Sequence, residues 1–264
     1  MHSNSQFDSA ALAAHFDHIA PSLRELRHEM GNHHCVNLGT GFLPEALRES
    51  LRTEANTLLN QVSERRDLTI ESTGRTPRKY RSVGRDSVAE HGVFTPGLFN
   101  SAALLDALSS VAGEPIHRVP YAPEEFIINN QMSSGDTHGW HWDDYSYALI
   151  HIVEAPNPMV GGRVEFIANV NWDKSDSEQC VRNALENRVV KSLHVNTGET
   201  YFMKSNTTMH RISPLLGETN RIAIILSFAS DADLVDASIE HTTMESIYPK
   251  DTGVLLEAAD AGAA

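Results

Sequence analysis

The stretch "THGWHWDDYSYALIHI", residues 137–152, decides how the chain is read. It holds three histidines, two tryptophans and two adjacent aspartates just ahead of an apolar, β-branched run. A half-buried strand avoids such groups unless they have something to bind. His141 and Asp143 stand two residues apart, so an extended chain turns both to one face. The run behind them, "SYALIHIVE", reads as a short apolar, β-branched strand.

Working outward, short strands follow one another on either side. "EEFIINNQM" precedes; "RVEFIANV", "VVKSLHVN", "ETYFMKS" and "RIAIILSFA" follow. Turn signals separate them: "SSGD", "NPMVGG", "NTGE" and "LLGETN". This spacing predicts a jelly roll or barrel. Residues 1 to about 115 have another texture, mainly helix and loop. Leu43, Leu47, Leu51, Leu58, Leu59 and Val62 recur at helical spacing behind Pro44, and "LFNSAALLDALSSVAG" predicts a helix capped by Asn100 or Ser101 and stopped by Gly113. Between them the basic stretch "STGRTPRKYRSVGRDS" reads as a loop. No boundary separates the textures. The expected architecture is α+β with a mainly β core, the N-terminal helices packed outside it. One domain spans 1–264: mainly helical support with a loop over 1–115, a jelly-roll core over 116–230 and a C-terminal extension over 231–264. The last residues, "LLEAADAGAA", are expected to fray.

Composition narrows the function. The formal net charge of −14 argues against nucleic-acid phosphates and against anionic membrane surfaces as partners. The apolar content of 41% is enough for a core around a small-molecule site. Cys35 and Cys180 are the only cysteines and lie far apart, so neither a disulfide framework nor a cysteine zinc site is expected, and a cytoplasmic location is. The N-terminus has no signal-peptide pattern, and no apolar run approaches a membrane span. The helical half could cover the barrel, close over substrate or form a homodimer face.

His-x-Asp with a distant second histidine is the spacing of a facial metal triad, which leaves three coordination positions open. The pattern alone is weak, because His15-Phe16-Asp17 repeats it on what reads as a solvated helix face. Its company distinguishes the second copy. His210 follows in "FMKSNTTMHRISP", and Arg221 opens the apolar strand "RIAIILSFA". A cation at the head of a buried strand is costly unless an anion meets it, and a dicarboxylate cosubstrate offers one.

With these motifs the chain resembles the Fe(II)/2-oxoglutarate-dependent dioxygenases, whose core is a double-stranded β-helix (jelly roll). The resemblance rests on "GDTHGWHWDD", "GGRVEFI", "NTGETYFMKSNTTMHRISP" and "ETNRIAIILSF", over Glu124 to Ala229. It implies an enzyme using Fe(II), 2-oxoglutarate and O2, with His141, Asp143 and His210 as iron ligands and Arg221 on the distal carboxylate of 2-oxoglutarate. Within that family, "TPRKYRS", "EEFIINN" and "THGWHWDDYSYALI" look like the radical halogenases of free lysine and related amino acids, and their hydroxylating relatives. Those halogenases carry Gly where the metal carboxylate would stand, leaving room for chloride. Asp143 fills that place here, so the resemblance implies hydroxylation of an unactivated C–H bond.

The same resemblance assigns Glu124, on the strand before the metal histidine, and Asp144 to the substrate side-chain ammonium. Arg78 and His138 then go to the substrate carboxylate region. Plainer readings stand beside each. Glu124 could be a solvated strand end and Asp144 a turn cap. Arg78 lies in a run with Arg75, Lys79 and Arg81, and His138 could orient the site instead. His151 reads as a core histidine, Asn130 as ladder packing and His33-His34 as no site. The halogenases carry polar groups and a Trp near the C-terminus around the amine; here "RIAIILSFA" offers mainly Ser227 and "HTTMESIY" no Trp, so His241 or Tyr248 would fill that space. Lysine is the first substrate expected, with ornithine, arginine and neutral amino acids behind it. An oxygenase of peptides, carrier-bound amino acids or natural-product scaffolds is the alternative, and a non-catalytic binding jelly roll the third reading.

Overall fold

The computed structural model describes residues 6–249; the stretch expected to fray lies outside them. In chain order the elements are α1 (Ser9–His33), β1 (Cys35–Gly39), α2 (Glu45–Val62), β2 (Glu64–Ile70), β3 (Thr76–Val83), α3 (Arg85–His91), α4 (Phe94–Phe99), α5 (Ala102–Ala112), β4 (His117–Arg118), β5 (Phe126–Gln131), β6 (Thr137–His141), β7 (Tyr147–Glu154), β8 (Val164–Ala168), α6 (Ser177–Asn187), β9 (Lys191–Leu193), β10 (Thr200–Lys204), β11 (Thr208–Ile212), β12 (Arg221–Ala229), α7 (Asp231–Val235) and α8 (Thr242–Ile247).

The strands form one antiparallel sheet in the order β1-β10-β7-β12-β5-β3-β6-β11-β8-β9, with β2 on β3 and β4 on β12. Residues of β7, β10 and β12 line the same cavity as residues of β6 and β11, so the sheet curls around that cavity into a jelly roll. Strand alternation sorts the side chains. On β7, Tyr147, Leu149 and Val153 join the core against the helices, whereas Ala148, Ile150 and Ile152 join a second apolar cluster inside the curl. On β12, Ile222, Ile224, Leu226 and Phe228 face the helices, while Ala223 and Ile225 line the cavity. These strands are covered on both faces, so they read as continuous apolar runs.

The helices form where capping and spacing require them. Leu51, Ala55, Leu58 and Leu59 make the buried stripe of α2. Ser101 accepts from the Leu104 N–H at the start of α5, and Gly113 ends it in the left-handed region at φ 81°. No described helix is long and apolar enough to cross a membrane.

Three expectations change. The basic stretch read as a loop holds β3, a strand in the middle of the sheet. Thr76, Arg78, Tyr80 and Ser82 point inward and are buried; Pro77, Lys79 and Arg81 alternate outward. Its cations hid a period of two that apolar residues would have displayed. β1 and β2 also lie in the half read as helix and loop. Finally, Glu124 sits on a 3-10 turn (Ala122–Glu124) leading into β5, not on a strand.

Candidate active site

β6 and β11 pair with His141 opposite His210. Trp140 and Trp142 turn to the other side, where they pack with Ile167 and Met209, and the Trp142 indole N–H donates to Val170 O at 2.7 Å. A bulge breaks the β6–β11 register between His210 and Ile212. It lets His138 and His141, three residues apart, face the same interior, with ring centroids 4.1 Å apart and planes 13° apart. Gly139 between them is required by close approach: a Cβ there would come 2.7 Å from Pro77 Cδ on β3.

Both paired histidines are oriented by their own strands. Nδ1 of His141 lies 2.7 Å from Gly139 O, and Nδ1 of His210 lies 2.8 Å from Thr208 O. A carbonyl only accepts, so each Nδ1 carries the hydrogen and each Nε2 presents a lone pair. Asp143 Oδ1 stands 3.6 Å from Nε2 of His141 and 3.8 Å from Nε2 of His210. The ligand atoms of all three residues fall within 4.8 Å of one another. Burial, with His210 and His138 nearby, holds the His141 imidazole well below its usual pKa, in the neutral form that binds metal. Two aimed lone pairs and one carboxylate fit a divalent ion and leave part of its coordination shell open.

Arg221 lies at the head of β12, 4% exposed. Its Nε donates to Gly162 O at 2.9 Å and Nη1 to Gln131 Oε1 at 3.4 Å, with the Tyr201 hydroxyl beside it. Among the described residues no carboxylate pairs with it. The Gly161–Gly162 turn permits this approach. Gly162 sits at φ 69°, and a Cβ there would meet Pro156 Cγ at 2.8 Å and Arg221 Cδ at 3.1 Å.

The opposite end of the cavity is acidic. Glu124, Asp144 and His241 bring their ligand atoms within 4.8 Å of one another. His241 Nδ1 meets Glu124 Oε1 at 2.7 Å, and Lys174 Nζ meets Asp144 Oδ1 at 2.6 Å. Burial pushes the Glu124 carboxyl up to about 7, and Glu124 in turn raises His241. The His241 ring stacks on Tyr121 at 3.7 Å. Thr243, Met244 and Ile247 of α8, with Tyr248, also line the cavity, whose volume is about 110 Å³.

Of the residues singled out in the sequence, His138, His141, Asp143, His210, Arg221, Glu124 and Asp144 all line this one cavity. Arg78 is fully buried but lies behind the lining. It donates to Thr73 Oγ1, Thr76 Oγ1 and Pro77 O, its Nε finds no partner, and burial lowers its pKa to about 10. His151 points to the helix side and pairs with Thr200 Oγ1 at 3.0 Å. Sequence reasoning missed Lys174, Tyr80 and Tyr201. Lys174 comes from the loop after β8, and nothing in its local sequence marks it as a partner of Asp144.

A family model described as "HalD: Halogenase D" matches residues 19–249. No curated protein matches the chain. Among solved structures, the non-heme alpha-ketoglutarate-dependent epimerase SnoN from nogalamycin biosynthesis is similar at TM-score 0.58 and 13% identity, over 80% of this chain and 83% of that one. A prolyl hydroxylase from Trichoplax adhaerens, in complex with a hypoxia inducible factor peptide, reaches 0.59 at 11% identity, over 83% and 95%. AviO1 from Streptomyces viridochromogenes Tue57 reaches 0.57 at 17%, over 75% and 90%. At these identities the likeness speaks for the fold.

Proposed function

Because the chain belongs to the Halogenase D family, we propose that it is an Fe(II)- and 2-oxoglutarate-dependent oxygenase that hydroxylates an unactivated C–H bond of a free L-amino acid. The observation that carries this reading is the Asp143 carboxylate, 3.6 and 3.8 Å from the two Nε2 atoms. A carboxylate in that place supplies a third protein ligand where the halogenases it resembles leave room for chloride.

In this reading His141, Asp143 and His210 hold the iron. When bound, Fe(II) supplies the activation of O2, one oxygen atom going to the C–H bond and the other, with loss of CO2, into succinate. Arg221 holds the distal carboxylate of 2-oxoglutarate through its outward N–H groups, while Gly162 O and Gln131 fix the guanidinium plane. His138, stacked between Tyr80 and His141, keeps the metal-side ring in place and presents its edge to the substrate. Arg78 lends positive charge from behind the wall. Glu124 and Asp144 face the substrate amine, and residues of α8 line the same cavity. Holding a substrate by its charged groups selects one methylene among several of similar bond strength.

The cavity volume of about 110 Å³ favours a small substrate, since sites for drug-sized ligands run to about 300–1,000 Å³. A second reading is an oxygenase of a peptide, a carrier-bound amino acid or a natural-product scaffold. The neighbours named for a bound peptide and for nogalamycin fit it better than they fit the first. A neighbouring cavity of about 430 Å³, which shares Met244 and Tyr248 with the inner one, offers room for the larger part of such a substrate. A mass-spectrometric screen of free L-amino acids with Fe(II), 2-oxoglutarate, O2 and ascorbate separates the two. Gain of one oxygen on a free amino acid supports the first. Turnover of 2-oxoglutarate stimulated only by peptide- or carrier-bound substrates gives the second.

A further inference from the structure

The acidic end of the cavity carries a charge count that bears on the substrate. Three carboxylates line the space: Asp143, Glu124 and Asp144. Asp143 faces the two imidazoles and is committed to the metal in the reading above. Asp144 is committed as well. Its side chain is 5% exposed and meets Lys174 Nζ at 2.6 Å. That ammonium is itself anchored, donating to Glu240 O at 3.0 Å and lying 4.5 Å from the Trp172 ring centroid. Glu124 differs, because its partner is a histidine that can give up its proton when another cation arrives. One carboxylate is therefore left to receive one ammonium. The cavity lining also includes Ile127, Ile225, Met244 and Ile247, beside the hydroxyls of Ser227 and Thr243.

We infer that Lys174 is a built-in occupant of Asp144 that restricts the site to amino acids with a single ammonium group and a neutral side chain, and rejects diamino acids such as lysine and ornithine. A second ammonium would have to displace Lys174 or remain buried without a partner, and both outcomes disfavour binding. This inference rests on the free-amino-acid reading above and replaces lysine, the first expectation from sequence, with a neutral side chain.

The test compares L-norleucine with L-lysine, which differ at the end of the chain. Binding to the protein loaded with Fe(II) and 2-oxoglutarate is measured by calorimetry under nitrogen, and hydroxylation is measured in air. Wild type and Lys174→Met are used; the substitution keeps the stem over Trp172 and removes the charge. Wild type is expected to prefer norleucine by at least about tenfold, and Lys174→Met to shift the ratio toward lysine by a similar factor. A wild-type preference for lysine, or a ratio unchanged by the substitution, overturns this inference and leaves the free-amino-acid reading standing. Failure of every free amino acid to bind either protein removes both.

Discussion

The two ends of the cavity handle charge in opposite ways. At the metal end, Asp143 faces two histidine lone pairs and Arg221 has only neutral oxygens around it. Among the described residues neither makes a direct ion pair with an oppositely charged Arg, Lys, Asp or Glu side chain. At the acidic end, Glu124 and Asp144 each touch a basic group of the chain itself, His241 and Lys174. Leaving buried charges unpaired costs several kcal/mol, so the fold tolerates it where a ligand completes the pair. Pairing them internally stabilises the apo protein but narrows what the site accepts. In the proposed reading the metal end receives ions and the acidic end sorts substrates.

The largest effect expected from breaking this contrast is at Asp143. Asp143→Ala removes the single anionic ligand, so Fe(II) titration should show at least about 100-fold weaker binding and hydroxylation should vanish. In Asp143→Gly with chloride present, hydroxylation should collapse and chlorination stay weak or absent, because surrounding groups must also hold the halide. Efficient chlorination would contradict that expectation and show that Asp143 alone decides the outcome.

Arg221→Ala should come next, weakening 2-oxoglutarate by about 2–5 kcal/mol, read as a raised KM for the keto acid. An unchanged KM would move the cosubstrate away from Arg221. Gly162→Ala probes the same cation indirectly. At φ 69° and with its Cβ 3.1 Å from Arg221 Cδ, it should cost roughly 1–3 kcal/mol in thermal unfolding and raise the same KM.

The smallest effect separates the ends by pH. Glu124 is held at about 7 in the folded protein, above its ordinary 4.5, so between these values the folded state binds more protons than the unfolded one. Stability then falls as pH rises through that window. His241, also raised, acts in the same direction: its contribution is full below its ordinary 6.5 and lost as pH climbs through the higher folded value. Wild-type Tm should therefore decline from pH 5 to pH 8, and Glu124→Gln should flatten that slope. An identical slope in the variant would place the titration elsewhere.

Much of this was legible in the sequence because local rules carried it. The apolar runs of β7 and β12, Ser101 and Gly113 at the ends of α5, and the His141-x-Asp143 spacing each express a rule acting over a few residues. β3 was illegible because Arg78, Lys79 and Arg81 look alike in a sequence, although alternation buries one and leaves the others half-buried. The stacking of His138 on His141 was hidden as well, since it depends on a bulge set by the partner strand.

The sequence by itself determined the apolar strands of the core, the capped ends of α5, and which residue types could hold a metal and an anionic cosubstrate. Those follow from side-chain chemistry and backbone periodicity, which act over short range. Only the tertiary structure decided that Lys174 meets Asp144, that His241 meets Glu124, and that Arg78 stands behind the wall. Such pairings depend on where the curled sheet and distant loops bring chain segments together, and charge paired across that distance has no local signature.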